Sequence, residues 1–406
     1  MLGAALAVPF VPSLLWSGYD RLFRIRTITA GISMTSPEDL DPLAEAIAFL
    51  ENARGRFVDA GYEVQTIRVA TQPLAEYLPD WSTADAIQRI IGMDELAAEH
   101  NLMLNIGPVI ADDRYHPRLA AWSSELISQT KNTSHTVIVA SAEHGVHTQT
   151  AKSAGEAIAR IGKDSEGGAG NFRFAATAFS PAETPFFPAA YHRGLPAFGI
   201  GLESPRVLTD VIAAHGATGD VASRLAAGLD AVIAPIQGIA EDLARDSGRR
   251  YSGLDTSPAP GLDASIGETI ETITGRPFGS PSTLAACALI TDAIKAVNSK
   301  SCGYSGLMLP VLEDRVLAQR AIEGRFGVED ILLYSSVCGT GLDVVPLPGD
   351  ATVDQLSGLI LDVAALAAKY RKPLSARLFP IPGKTAGDAI SFDNPFLTDC
   401  VVMPLV

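Results

Sequence analysis

Short strand-like runs alternate with longer amphipathic stretches almost from end to end of this chain. That rhythm restricts the fold more than any other feature. The run "RIRTITAGI" reads as a strand, and Leu40, Leu43, Ile47, Leu50 and Phe57 then recur at helical spacing. Ser36 and Pro37 offer an N-cap and a first-turn proline ahead of that helix. "EVQTIRVAT", "NLMLNIG", "HTVIVA", "FRFAATAF", "AFGIGL", "YSGLDTS", "GLMLPV", "DILLYSSV", "SARLFPI" and "CVVMPLV" continue the strand series. Helices are expected over 84–100, after Thr148, from Pro205 to about Arg245, and after Asp263 and Pro281. The capping box Thr352-Val353-Asp354-Gln355 starts another. Strands alternating with helices imply parallel pairing under a helical cover. Roughly ten strand candidates favour a single large α/β barrel, closed or nearly so, over a small open sheet.

Apolar residues make up 47% of the 406 residues and charged residues 19%, enough material for one extensive core over 25–406. The net charge of −15 repels phosphate backbones, so nucleic acid is an unsuitable partner. Four widely spaced cysteines form neither a disulfide framework nor a zinc spacing, which fits reduced thiols in the cytoplasm. The opening "MLGAALAVPFVPSLLW" has no basic flank and carries Pro9 and Pro12. Residues 1–24 therefore read as an apolar packing arm or oligomer contact, with a signal or anchor segment as the competing reading, and no membrane span is expected. The glycine-rich stretch 162–172 suits a lid or an ordinary surface loop.

Function in such folds gathers at strand ends and their loops. In "SKSCGYSGLMLPVLED", Cys302, Ser305 and Gly306 lie in a loop whose backbone N–H groups could form an anion-binding nest. Glu313 and Asp314 follow as candidate acid/base groups, although acids here also cap the next helix. "VCGTGLDVV" repeats the pattern with Cys338, Thr340, Gly341 and Asp343. A thiol becomes a nucleophile only when its pKa is lowered, and nothing adjacent in sequence does that. Glu143, His144 and His147 could hold a divalent metal ion or form a hydrogen-bonded turn or substrate contact, and Asp255 could be a ligand or form an Asx turn. His192, after an aromatic and proline-rich stretch, is a candidate acid/base or a core or surface histidine, and Lys384 a candidate cation for an anionic ligand. Walker A, G-x-S-x-G and H-E-x-x-H signatures are absent.

"IRTITAGI", "DTSPAP", "GSPSTLAACALITDAIK", "CGYSGLMLPVLED", "VCGTGLDVVPLPGD" and "IPGKTAGD" together resemble an uncharacterised protein family distantly related to pyruvate formate-lyase, the PFL family. The resemblance runs from about Arg26 to the C-terminus and is strongest after Asp255. It implies the ten-stranded barrel of glycyl-radical enzymes, two half-barrels around a central finger loop. On it, Cys302 and Cys338 match cysteine positions, and Ser305, Gly306, Glu313, Asp314, Gly341, Asp343, Gly349 and Asp350 match the surrounding motif. His192 matches a histidine of the aromatic stretch. The glycyl-radical motif is missing, so radical chemistry is not implied, and the Glu143–His147 segment departs from the family pattern.

The resulting expectation is an enzyme of hydrolase or lyase type, with a site inside the barrel and a small polar or anionic substrate. His192, Cys302, Cys338, Asp343 and Glu313 would act catalytically, and Ser305, Gly306, Thr340, Gly341 and Lys384 would bind substrate. Glu143, His144, His147 and Asp255 would hold a possible metal ion, and a homo-oligomer is expected. The rival is a non-catalytic ligand-binding protein on the same scaffold.

Overall fold

The computed structural model describes residues 23–405. Its strands are β1 (Arg24–Ile32), β2 (Val64–Thr71), β3 (Met103–Ile110), β4 (Thr133–Ser141), β5 (Gly145–Val146), β6 (Phe174–Ala178), β7 (Ala197–Glu203), β8 (Arg250–Pro258), β9 (Gly341–Pro348) and β10 (Leu374–Ile381), with β11 (Ala389–Ile390) and β12 (Cys400–Val401) as a small separate pair. The helices are α1 (Asp41–Asp59), α2 (Ala84–Glu99), α3 (Leu119–Gln129), α4 (Thr148–Asp164), α5 (Pro205–His215), α6 (Val221–Ser247), α7 (Ile266–Thr274), α8 (Thr283–Lys295), α9 (Arg315–Ile322), α10 (Val328–Tyr334) and α11 (Val353–Tyr370).

One 10-stranded sheet runs β8-β7-β1-β2-β3-β4-β6-β10-β9, with β5 paired to β4. Strands β1, β2, β3, β4 and β6 pair in parallel. The flanking pairs β7–β8 and β9–β10 are each parallel within themselves and join the central block antiparallel. The α/β class is as expected, but the sheet does not close into a barrel. Its edges, β8 and β9, are taken up by the chain around residues 300–311. Leu254 donates to the Lys300 carbonyl at 2.8 Å, and Cys302 donates back to Leu254 at 3.0 Å. At the other edge Gly339 donates to Leu307 at 3.1 Å, and Val311 to Asp343 at 3.2 Å. This connecting segment contains "GLMLPV", which is not a strand. The left-handed backbone of Ser305 (φ 41°) and the proline at 310 prevent a continuous ladder.

The strands are buried on both faces, with different chemistry on each. Ile28, Ala30, Ile67, Val69, Leu104, Ile106, Ala376 and Leu378 join the main apolar core beneath the helices. Alternate residues of the same strands, Thr29, Arg68, Asn105, Ser375 and Arg377, are buried and polar. Helix α1 starts at Asp41 with Pro42 in its first turn, and buries Leu43, Ile47, Leu50 and Phe57 as its spacing predicts. Ser36 and Pro37 lie ahead of it and do not cap it. The Thr352–Gln355 box does cap α11.

Three further expectations change. "DILLYSSV" is mostly helix α10, whose start is tied by the Gly327 N–H donating to Asp330. The apolar run after Gly341, not read as a strand, is β9. Residues 162–172 do not form a lid: they end α4 and continue as a 3-10 turn that buries Gly168, Gly170 and Asn171. The apolar arm 1–24 lies almost entirely outside the described residues. Among those that are described, no helix is long and apolar enough to cross a membrane.

Asp314 links two helix starts. Its carboxylate caps α9 through Val316 and Leu317, and it accepts from the Ile266 and Gly267 amides and the Ser265 hydroxyl at the start of α7. Capping, rather than catalysis, is thus its role in the fold. Asp314→Ala strands these buried donors and should cost about 3 kcal/mol in urea denaturation. A loss below about 1 kcal/mol would show that water replaces the carboxylate there.

Candidate functional site

Charged side chains are almost never buried without a partner, so an arginine in the middle of a covered strand needs an explanation. The polar face of the sheet carries three: Arg26 on β1, Arg68 on β2 and Arg377 on β10, between 7% and 8% exposed. Two stand at ladder irregularities. The β1–β7 register shifts between Ile25 and Thr27, around Arg26. The β9–β10 register shifts between Ala376 and Leu378, opposite Asp343 and Val344. Val344 adopts φ 48°, a strained conformation for a β-branched residue. Such irregularities re-aim side chains next to functional sites.

Arg377 donates to Asp343 at 2.9 Å and to Glu313 at 3.3 Å. Arg26 reaches the other Glu313 oxygen at 3.4 Å and Glu203 at 3.4 Å. Arg68 differs. Its Nε donates to Thr66 at 3.1 Å and its guanidinium lies over the Phe187 ring at 5.1 Å, yet among the described residues no carboxylate pairs with it. Burial, then the neighbouring Arg26, pushes its pKa down to about 9, so it is still a cation at neutral pH. Two buried polar atoms lack hydrogen-bond partners here among the described residues. Arg377 Nε is buried and unbonded. The Tyr304 hydroxyl lies beside Ser375 and Ser180 without a hydrogen bond of proper geometry. Burial raises the Tyr304 pKa, which keeps the hydroxyl a proton donor.

These groups line a cavity of about 60 Å³ together with Glu313, Asp343, Thr340, Phe186, Phe187 and Met308. Two loops bring its far wall into place. Pro185 accepts from Thr29 at 2.7 Å, and Pro188 accepts from Asn105, which seats Phe186 and Phe187. Buried Asp255 accepts from the Tyr304 amide at 2.7 Å, the Ser305 amide at 2.9 Å and the Ser257 hydroxyl at 2.6 Å. Burial pushes the Asp343 pKa up to about 6, against the pull of Arg377. The cavity thus combines a cation without a carboxylate ion pair among the described residues, a neutral hydroxyl donor and a carboxyl whose pKa is raised to about 6.

The family described as "Uncharacterised ACR (DUF711)" matches residues 19–393. The chain belongs to this family. It is similar to a UPF0210 protein of Pyrobaculum islandicum, 31% identical over 386 residues, covering 89% of this chain and 83% of the relative. It is also similar to a UPF0210 protein of Desulforudis audaxviator, 27% identical over 404 residues, covering 91% and 88%. The expected membership of an uncharacterised family is thus met, and these names state no activity.

Of the expected site residues, Glu313, Asp343 and Thr340 line the cavity. The two cysteine loops meet, but not through their thiols. A Cβ on Gly306 would sit 2.5 Å from Gly339 Cα, so the backbones touch where only glycine fits. Cys338 is buried in the main apolar core. The Cys302 thiol lies against Gly199, and burial, then Asp255 and Glu183, push its pKa well up. That is the opposite of activation. The expected anion nest is spent: the Ser305 amide goes to Asp255 and the Gly306 amide to the Ser257 hydroxyl. Gly341 (φ 88°) packs on the Ser375 carbonyl, and Lys384 is exposed beyond β10. His192 is buried, its Nε2 on the Gly194 carbonyl and its Nδ1 3.9 Å from Glu183, and it does not line the cavity.

The expected metal set does not assemble. Both ring nitrogens of His147 are engaged, with the Ile138 carbonyl and the Ser141 hydroxyl. His144 and Glu143 are exposed at the β4–β5 turn, while Asp255 sits on β8 at the sheet edge. Among the described residues no three His, Cys, Asp or Glu side chains are placed to share an ion. The cavity's own carboxylates are tied to guanidiniums, which repel a cation.

Sequence reasoning missed Arg26, Arg68, Arg377 and Tyr304. The signal was present as arginines inside "RIRTI", "TIRVA" and "SARLF", strands otherwise apolar enough to be covered on both faces. Because burial and two neighbouring guanidiniums outweigh the attraction of Glu313, and Arg68 has no direct ion pair among the described residues, Arg68→Met should stabilise the ligand-free protein by about 1–2 kcal/mol in urea denaturation. Equal or lower stability would mean that the guanidinium is already satisfied.

Proposed function

We propose that this chain is an enzyme acting on a small anionic metabolite held on Arg68 in the sheet cavity. The observation that carries this reading is the buried Arg68 guanidinium, without a carboxylate ion pair among the described residues, lining the same cavity as the Tyr304 hydroxyl. Within it, Arg68 anchors the anion, Arg26 and Arg377 hold Glu313 and Asp343 in place, and Asp343 moves a proton to or from the bound molecule. Acid/base chemistry of hydrolase or lyase type uses these parts directly. Metal assistance is not carried into the proposal, because guanidiniums already occupy the carboxylates.

A distant relation to pyruvate formate-lyase is a further proposal. What supports it is two oppositely directed sets of parallel strands, with the 300–311 segment running between the open edges. A cytoplasmic location is proposed on the four free thiols, and a homo-oligomer on the sequence alone.

The test is incubation with pooled small anionic metabolites, read by mass spectrometry against Asp343→Asn as the matched control. Wild type is expected to convert a member of the pool, with Asp343→Asn slower on the order of 100-fold. The rate should fall as pH drops through about 6, because a protonated Asp343 cannot accept a proton. Binding through Arg68 without any mass change would leave the ligand-binding alternative in place of the enzyme. Equal rates for both proteins would remove Asp343 from the chemistry.

A further inference from the structure

The groups facing the cavity restrict the anion further than "small". Arg26, Arg68 and Arg377 supply three positive charges, and Glu313 and Asp343 supply two negative ones. Glu203, which also touches Arg26, does not line the cavity and is held at 2.7 Å by Arg24. Arg24 in turn reaches Asp263 and Glu63 at the exposed rim. Among the lining side chains, guanidiniums thus outnumber carboxylates by one, and Arg68 is the guanidinium without a carboxylate ion pair among the described residues. A monoanion cancels that excess. A dianion would leave a net negative charge in a desolvated site, which costs far more than a matched pair.

Size and lining point the same way. A volume of about 60 Å³ corresponds to roughly four or five water-sized positions, enough for a molecule of only a few heavy atoms. The planar guanidinium of Arg68 matches the two oxygens of a carboxylate. The Tyr304 hydroxyl, buried, unbonded and kept as a donor, lines the same cavity. Phe186, Phe187 and Met308 offer an apolar wall on which a hydrated phosphate gains nothing, but a short hydrocarbon does.

We infer that the cavity takes a short-chain monocarboxylate, its carboxylate on Arg68 and Tyr304 and its hydrocarbon end against the aromatic wall, in preference to phosphate. This inference rests on the anion-site reading above and narrows it. Isothermal titration of the full chain at pH 8, with propionate, propionamide and inorganic phosphate as probes, tests it. Propionate is expected to bind at least about tenfold tighter than phosphate, and uncharged propionamide should give no measurable binding. Arg68→Gln should weaken propionate by about tenfold or more, and Tyr304→Phe by a smaller factor, with Arg68→Lys as a second variant should the glutamine protein not fold. Phosphate binding as tightly as propionate, in an Arg68-dependent manner, overturns the carboxylate inference while the anion site stands. Absence of binding by either anion, or propionate binding untouched by both Arg68 variants, overturns both.

Discussion

Guanidiniums inside a covered sheet are tolerable only if carboxylates come to meet them, and this requirement organises much of the molecule. The carboxylates that balance Arg26 and Arg377 come from neighbouring strands, Glu203 on β7 and Asp343 on β9, and from a residue outside the sheet, Glu313. Glu313 arrives at the end of the 300–311 segment and touches both. Its position depends on Asp255, which holds the segment at Tyr304 and Ser305, and on Asp314, the residue after Glu313, whose carboxylate ties it to two helix starts. Substitution of either aspartate would therefore be felt in the cavity, although neither side chain faces it.

The same requirement explains why ladder irregularities occur where they do. A regular β9 would alternate its side chains strictly, and the shift around Asp343 and Val344 breaks that alternation opposite Arg377. The strained Val344 backbone is the local cost of aiming the Asp343 carboxylate at the guanidinium. Desolvation there raises the Asp343 pKa, while Arg377 limits the rise and makes the carboxylate form available near neutral pH.

Periodicity made the helix-covered half of each strand legible, since Ile28, Ile67, Leu104 and Leu378 follow simple alternation into a single core. Helix α11 and its capping box were equally plain. What periodicity could not convey was the other face. The 306–311 run is apolar because loop and cavity wall are both buried, so hydrophobicity alone made it look like a strand. Helix α10 misled for a related reason: Ile331, Leu332 and Leu333 are consecutive, and a seven-residue helix is too short to show its period. The thiols and histidines attracted attention by residue type, yet Cys302 lies beside two carboxylates that oppose a thiolate and His147 has both ring nitrogens bonded, while Cys338 packs in the core away from the cavity. Arginine is so ordinary at a surface that its chemistry here follows only from where the fold places it.

The open sheet is a condition for the site rather than an imperfection of a barrel. Direct pairing of β8 with β9 would satisfy both edges, but the edges would then have no groups left for the 300–311 segment. Tyr304 and Met308 reach the cavity from that segment, and Glu313 follows directly after it. With the segment between them, each edge strand still satisfies backbone groups, through Leu254 on one side and Asp343 on the other. The gap thus costs little in hydrogen bonding and gives the cavity a wall that no regular strand could provide. Because the segment is tied at Leu254, at Asp343 and at the Gly306–Gly339 contact, Tyr304 is held in the cavity wall that also contains Arg68 before any ligand arrives.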